Sequence, residues 1–209
     1  MRKSNSLILM AASLGLSVLP LPARTQVSAL LRQLGSPRTT DSAKTQLLQL
    51  GGSDPEARRY LAIHLPLLIA AQPRSSHPDV RNVGSLRREW VNAVLLAGNL
   101  RLVEAAPALA KQIDVRTTQQ NFWGNNPTGY ALCQIGDPAI PSVQRVLANG
   151  NQEQRKLAAY VLQEVDSPKS MGVLRDYGNH GKDPYLATSL RTYFLSAPKV
   201  DPGSGCRDR

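Results

Sequence analysis

Apolar side chains recur along this chain at intervals of three and four residues. One such stripe comprises Ala57, Leu61, Leu65, Leu68 and Ile69. Others comprise Leu86, Trp90, Ala93, Val94 and Ala97, then Leu102, Ala105, Ala106, Leu109 and Ile113, then Leu157, Ala158, Val161, Leu162 and Val165. Because an α-helix turns once every 3.6 residues, side chains at this spacing share one face. Since no run of alternating β-branched residues accompanies them, the sequence predicts an all-α protein.

Prolines, glycines and short polar residues separate the stripes and set the predicted helix boundaries. Asp54 and Pro55 suit the N-cap and the first position of a helix. We predict the same role at Gly136-Asp137-Pro138, Asp166-Ser167-Pro168 and Gly181-Lys182-Asp183-Pro184. The predicted helices lie near residues 26–34, 41–50, 55–71, 85–97, 101–113, 127–135, 138–148, 152–164, 168–177 and 184–195. Pro66 is predicted to kink the third helix.

One block of sequence recurs about thirty residues later. Its first copy contains Tyr130-Ala131-Leu132, Ile135, Asp137-Pro138 and Val143. Its second copy contains Tyr160-Val161-Leu162, Val165, Ser167-Pro168 and Val173, and Tyr193-Phe194-Leu195 begins a third. A fixed period of this length predicts repeated units that bury their apolar faces against one another.

The string from Ala131 to Val143, Ala-Leu-Cys-Gln-Ile-Gly-Asp-Pro-Ala-Ile-Pro-Ser-Val, resembles the short bacterial HEAT repeat of the lyase-like type. Arg155-Lys156-Leu157-Ala158 and Arg59-Tyr60-Leu61-Ala62 are similar to the Arg-x-x-Ala helix of that family. The resemblance covers most of residues 26–195. It implies a right-handed α-solenoid of about five HEAT-like antiparallel helix pairs, whose concave face recruits a partner.

The first 23 residues have the pattern of a secretory signal. Arg2 and Lys3 precede an apolar stretch from Leu7 to Leu19, and Pro20-Leu21-Pro22-Ala23 then supplies a cleavage point. We therefore predict a signal peptide at 1–23, a HEAT-like repeat domain at 24–195 and a disordered tail at 196–209. An uncleaved membrane anchor is the alternative for the first segment. Export would place the protein in the periplasm or outside the cell.

The composition is that of an ordered protein, with 42% hydrophobic and 19% charged residues and a net charge of +10. Cleavage after Ala23 lowers the charge to +8, because Arg2 and Lys3 leave with the signal. The basic residues are dispersed and no aromatic residues alternate with them, so nucleic-acid binding is not predicted. Contact with an acidic protein, an anionic polymer or a membrane surface stays open.

Residue types that carry catalysis or hold metals do not cluster in this sequence. His64, His77 and His180 lack a histidine, cysteine or carboxylate partner at metal-ligand spacing. No serine stands in a strained Gly-x-Ser-x-Gly turn after a strand. We predict no catalytic residues, no metal, no cofactor and no enzymatic activity.

Four residues are candidates for binding a partner. Phe122 and Trp123 stand together in the polar stretch 116–127, where they either anchor a partner or pack over an irregular insertion. A second irregular stretch is predicted at 72–84. Arg59 and Arg155 recur at the same place in their units, and two interpretations fit them. They form a basic stripe for an anionic ligand, or an Asp–Arg ladder with turn carboxylates such as Asp54 or Asp137.

The only two cysteines, Cys133 and Cys206, are within reach of each other along the chain, but their spacing does not imply a disulfide. The pattern as a whole predicts an exported HEAT-repeat scaffold that mediates protein–protein interaction with another protein of the envelope or exterior. Two alternatives remain. One is an envelope enzyme or lyase accessory with a site in the concave groove, and the other is a binder of anionic polymer or membrane surface.

Overall fold

The computed structural model describes residues 23–71, 85–117 and 122–196 of the chain. The side chains of residues 85–87, 122–123 and 193–196 fall outside this description. Every regular element within the described ranges is a helix, and no strand occurs among them. The predicted all-α class is therefore confirmed.

Eleven α-helices follow one another along the described residues. They are α1 (Ala23–Leu31), α2 (Thr40–Ser53), α3 (Pro55–Ala71), α4 (Ser85–Asn99), α5 (Ala106–Lys111), α6 (Phe122–Asn125), α7 (Pro127–Ile135), α8 (Ile140–Asn149), α9 (Gln152–Val165), α10 (Pro168–His180) and α11 (Pro184–Ser196). Short 3-10 turns at Val103–Ala105 and Asp137–Ala139 lead into α5 and α8. None of these helices is long and apolar enough to cross a membrane.

The helices pack in two series that alternate along the chain. In the first series α2 packs on α4, α4 on α7 and α7 on α9, and in the second α3 packs on α5, α5 on α8 and α8 on α10. Helix α1 packs on α2 and α3, and α11 packs on α10. Between the series lies a core built mainly from Ala, Leu, Ile and Val side chains. The helices of the two series therefore bury their apolar stripes against their neighbours, as the sequence pattern requires.

Helix boundaries agree closely with the prediction where a proline, a glycine or a short polar capping residue marks the boundary. Helices α3 and α7 begin and end at the predicted residues, and α3 continues through Pro66. Four helices differ from the prediction by three residues or more at one end or both, namely α1, α2, α5 and α10. Helix α2 extends through Gly51 and Gly52, and Gly51 faces the Leu100 side chain so closely that a Cβ would lie 2.8 Å from it. Helix α5 is shorter than predicted, because Arg101 takes a left-handed φ of 50° and a 3-10 turn follows.

The predicted aspartate caps divide into two groups. Asp54 Oδ1 accepts the N–H of Glu56 at 2.8 Å, and Asp183 Oδ1 accepts those of Tyr185 and Leu186 at 3.1 Å each, so both cap as predicted. The prediction for Asp137 was wrong, because this residue lies in the 3-10 turn and Ala139 occupies the N-cap of α8.

At the third site Ser167, not Asp166, caps the following helix. Ser167 and Ser170 form a reciprocal capping box, in which each side chain accepts the other residue's backbone N–H. Asp166 instead takes the left-handed conformation, with φ 46°, that ends α9. Aspartate tolerates this region better than most residues, which explains why it serves as the C-cap.

Several predicted segments lie outside the described residues, namely residues 1–22 of the signal, the stretch 72–84 and residues 197–209 of the tail. Ser196, predicted as the first residue of the tail, is the last residue of α11. Cys133 is fully buried in α7 and is disulfide-bonded. Cys206, the only other cysteine of the sequence, lies outside the described residues.

Candidate functional site

Arg155 connects two turns that are far apart in the sequence. Its Nη1 donates to the carbonyl of Gly150 at 2.7 Å, and its Nη2 donates to Asp183 Oδ2 at 3.2 Å. The Asp183 side chain is only 8% exposed and that of Arg155 23% exposed. This contact is of the kind that an Asp–Arg ladder predicts, although its carboxylate is Asp183 and not Asp54 or Asp137. Arg155 therefore has a structural partner on each side.

Arg58, and not Arg59, is the structural counterpart of Arg155. Both residues lie four positions after the polar residue that begins their helix, Asp54 for α3 and Asn151 for α9. Arg58 Nη2 donates to the carbonyl of Leu100 at 2.8 Å and Nη1 to that of Gly51 at 3.4 Å. Each arginine thus joins the backbone just before its own helix, which is the end of α2 for Arg58 and the turn at Gly150 for Arg155, to a later turn.

Arg59 lies one residue further along α3 and its side chain is exposed. Among the described residues it makes no side-chain hydrogen bond or ion pair. The sequence pattern pairs Arg59 with Arg155 because each is the first residue of an Arg-x-x-Ala string. Counting from the helix start would have paired Arg58 with Arg155 instead. Arg59 and Arg155 are therefore not brought together, and Arg59 alone remains available to a ligand.

Phe122 and Trp123 begin the four-residue helix α6, inside the stretch predicted to be irregular. Their side chains fall outside the described residues. The backbone on either side of the segment is closed, because the Thr117 N–H donates to the carbonyl of Asn125 at 2.9 Å and the Thr117 hydroxyl donates to that of Gly124. A hydrogen-bonded closure of this kind holds the start and the end of a short loop together.

A groove of about 370 Å³ lies between α5 and α8 and opens toward the turn before α9. It is lined by Pro107, Ala110, Lys111, Ser142, Arg145, Val146, Asn149, Gly150 and Gln154. Both cations of the groove, Lys111 and Arg145, have exposed side chains. We take this groove as the candidate site, because it combines two exposed cations with a concave surface between neighbouring helices of one series.

Neither Lys111 nor Arg145 is among the candidate residues predicted from the sequence. Each lies four residues after a proline that is the second residue of its helix, Pro107 in α5 and Pro141 in α8. Aligning the two helices on these prolines would have placed the cations at equivalent positions. The four-residue spacing also places each cation on the face of its own proline, one helical turn later.

The two histidines within the described residues have ordinary surroundings. The His64 ring stacks on Tyr60 with 3.9 Å between ring centroids. His180 Nδ1 lies 3.1 Å from Asp176 Oδ1 beside a smaller groove of about 140 Å³. Both members of this pair are about three quarters exposed, at 76% and 74%. His77 lies outside the described residues.

No group of three or more histidine, cysteine, aspartate or glutamate side chains is suited to hold a metal ion within the described part of the chain. Comparison with known proteins finds no matching family model, no matching curated protein and no matching solved structure. The site is therefore interpreted from its own residues alone.

Proposed function

We propose that this chain is an exported α-solenoid of about five HEAT-like helix pairs that binds another protein of the cell envelope or exterior. The observation that carries the proposal is the consecutive packing within each series, α2 to α9 in one and α3 to α10 in the other. In a solenoid each unit contacts mainly its neighbours, and one series forms a long continuous surface. Such a surface presents far more area to a partner than an isolated helix pair does.

Two further features support a repeated unit. Arg58 and Arg155 make equivalent contacts with the turns beside their helices. Lys111 and Arg145 occupy equivalent positions in α5 and α8. Recurrence of the same interaction at the same place in successive units is typical of repeat proteins.

The enzyme alternative predicts titratable side chains within hydrogen-bond distance in a groove. Asp176 and His180 satisfy the distance, but both are largely exposed. An i, i+4 pair on an exposed helix face stabilises the helix by a few tenths of a kcal/mol, and water screens its charges. Catalytic pairs usually gain their altered reactivity from burial. We therefore infer that the chain acts by binding.

Affinity capture tests the binding proposal directly. The bait is the mature chain, residues 24–209, and the source is the envelope fraction of the organism that produces it. The control bait is an unrelated protein of similar size and net charge, so that proteins retained by charge alone are subtracted. We expect one or a few proteins to be enriched on the mature chain. Equal recovery on both baits would contradict the proposal.

Export is tested separately by sequencing the amino terminus of the protein purified from that fraction. We expect the mature chain to begin near Arg24. Disulfide bonding of Cys133 supports this expectation, since disulfides persist mainly in oxidising compartments. An intact Met1 on protein recovered from the cytoplasm would contradict export.

A further inference from the structure

We infer that the groove between α5 and α8 binds an acidic peptide segment, with Lys111 and Arg145 pairing with its carboxylates. The inference deepens the proposed function and rests on it, because it names the chemistry of the partner. The groove is defined above by its lining residues and its volume of about 370 Å³.

Helix packing brings the two cations to the same groove. Helix α5 packs on α8, and Lys111 and Arg145 lie at equivalent positions, four residues after Pro107 and Pro141. Both cations line the same groove. Carboxylates on alternate residues of an extended peptide lie roughly 7 Å apart on one side of the chain, so one peptide can present a carboxylate to each cation.

Both cations are available to a ligand. Lys111 makes no hydrogen bond or ion pair with any described residue. Arg145 donates from Nε to the carbonyl of Pro141 at 3.2 Å, which holds the side chain along α8. Its two Nη groups make no further hydrogen bond with the described residues. An arginine presented in this way can pair with a carboxylate through two parallel hydrogen bonds.

The lining of the groove carries no negatively charged side chain, because none of its residues is an aspartate or glutamate. Asp114 Oδ2 accepts a hydrogen bond from Gln154 Nε2 at 3.2 Å, and Glu153 pairs with Arg116 at 2.7 Å. The positive charge of Lys111 and Arg145 therefore has no acidic neighbour within the lining. This arrangement favours an anionic occupant.

The shape of the groove favours a peptide over a membrane surface. The cations flank a recess whose walls include the apolar side chains of Pro107, Ala110 and Val146. An extended peptide can place its backbone and small side chains in this recess while its carboxylates reach the two cations. A lipid surface is flat on this scale, so it would contact cations that protrude and leave the recess empty.

The test uses the mature chain and a fluorescein-labelled peptide of alternating glutamate and alanine. A peptide of alternating glutamine and alanine has the same shape without the charge. The groove variant is Lys111→Gln with Arg145→Gln. The matched control is Arg32→Gln with Lys156→Gln, which removes the same charge from two exposed residues that do not line the groove.

We expect the glutamate peptide to bind at low salt and the glutamine peptide not to bind. The groove variant should weaken binding by about tenfold or more, and the control variant by less than about threefold. Equal weakening by both variants would show that net charge alone attracts the peptide, and would overturn the inference. Absence of binding to the glutamate peptide would overturn it as well.

Vesicles of phosphatidylserine and phosphatidylcholine distinguish the membrane alternative. Binding to these vesicles that depends on Lys111 and Arg145, without binding to the peptide, would overturn the inference in favour of a lipid surface. The capture experiment separates this failure from failure of the proposed function. If the groove variant no longer binds the peptide but captures the same envelope proteins, the scaffold proposal is supported and the groove is not the surface that contacts those proteins. If the peptide binds at the groove but no protein is captured, the groove stands and the scaffold proposal fails.

Discussion

The indole Nε1 of Trp90 donates a hydrogen bond to Oε1 of Gln112 at 2.8 Å, in the interior between α4 and the end of α5. Both side chains are almost completely buried, at 3% and 5% exposure. Gln112 Nε2 in turn donates to the carbonyl of Ile69 at 2.7 Å, near the end of α3. Thr128 of α7 donates to the backbone carbonyl of Gln112 at 3.1 Å. One glutamine therefore satisfies polar groups from three other helices.

Replacing Gln112 with leucine is expected to destabilise the protein strongly. The change leaves the Trp90 N–H and the Ile69 carbonyl buried without their partner, and each such group costs about 1–3 kcal/mol. We expect the free energy of unfolding to fall by about 2–6 kcal/mol in urea titrations. The control is Gln144→Leu on the exposed face of α8, where the same change should cost less than about 0.5 kcal/mol. Equal effects of the two changes would refute the role of Gln112.

This network marks the limit of what the sequence could predict. Helices α3 and α7 were predicted to the residue, because proline and capping residues define their starts and apolar spacing defines their faces. Gln112 carries no such signal. Its importance depends on Trp90 and Ile69, which are distant in sequence and meet it only after the helices have packed.

The candidate site was predicted less well than the fold, for a related reason. Phe122, Trp123, Arg59 and Arg155 were chosen for their residue type and local spacing. Arg155 forms an ion pair with Asp183, which lies in the turn between α10 and α11. Lys111 and Arg145 belong to different helices and form a groove only through packing. The sequence of one chain does not reveal which of its helices pack against each other.

A close approach of α4 and α7 at Gly98 provides a test of the packing within the first series. A Cβ on Gly98 would lie 2.7 Å from the Cα of Ala131, so the two helices would have to separate. We expect Gly98→Ala to lower the free energy of unfolding by about 1–3 kcal/mol.

Gly172 is the matched control for this change. It lies within α10, and a Cβ there meets nothing within 4 Å. Gly172→Ala should therefore raise the free energy of unfolding by about 0.5–1 kcal/mol, because alanine loses less backbone entropy in a helix. Both values follow from urea titration. Stabilisation by Gly98→Ala would mean that α4 and α7 are further apart than the structure places them.

The pH dependence of stability should report the environment of Asp183. The backbone N–H of Leu186, together with the Arg155 guanidinium, lowers the pKa of Asp183 below its ordinary value of 3.8, while burial acts in the opposite direction. A carboxyl group with a lowered pKa in the folded state releases its proton more readily there than in the unfolded chain. Its stabilising contribution is therefore complete above the ordinary pKa and is lost as the pH falls through the lowered value.

Asp183→Asn removes the charge but keeps a residue that can cap α11. We expect this variant to melt below the parent protein at pH 7, and the difference should shrink as the pH falls below 3.8. The control is Asp41→Asn, whose side chain is 97% exposed, and its difference from the parent should be small at every pH. If the difference in melting temperature between Asp183→Asn and the parent stays constant from pH 7 to strong acid, the charge of the Asp183 carboxylate contributes nothing to stability.

Phe122 and Trp123 allow the two interpretations of their segment to be separated. If they anchor a partner, replacing both with alanine should weaken capture of that partner and leave the melting temperature nearly unchanged, since an exposed anchor contributes little to folding and much to binding. If they pack over the insertion, the same change should cost about 3 kcal/mol or more, as expected for a buried aromatic side chain. Tyr185→Ala is the control, because this tyrosine is 71% exposed on α11.

Fluorescence quenching makes the same distinction without a partner. The chain has two tryptophans, and Trp90 is only 3% exposed. Acrylamide should therefore quench an accessible fraction of the emission only if the Trp123 ring is exposed, and Trp123→Phe should remove that fraction. An accessible fraction would support the anchor interpretation, which requires an exposed ring. Uniformly protected emission together with a large loss of melting temperature in the double alanine variant would show that both aromatics belong to the core. Arg59 would then be the remaining candidate of those chosen from the sequence, because Arg155 is engaged with Asp183.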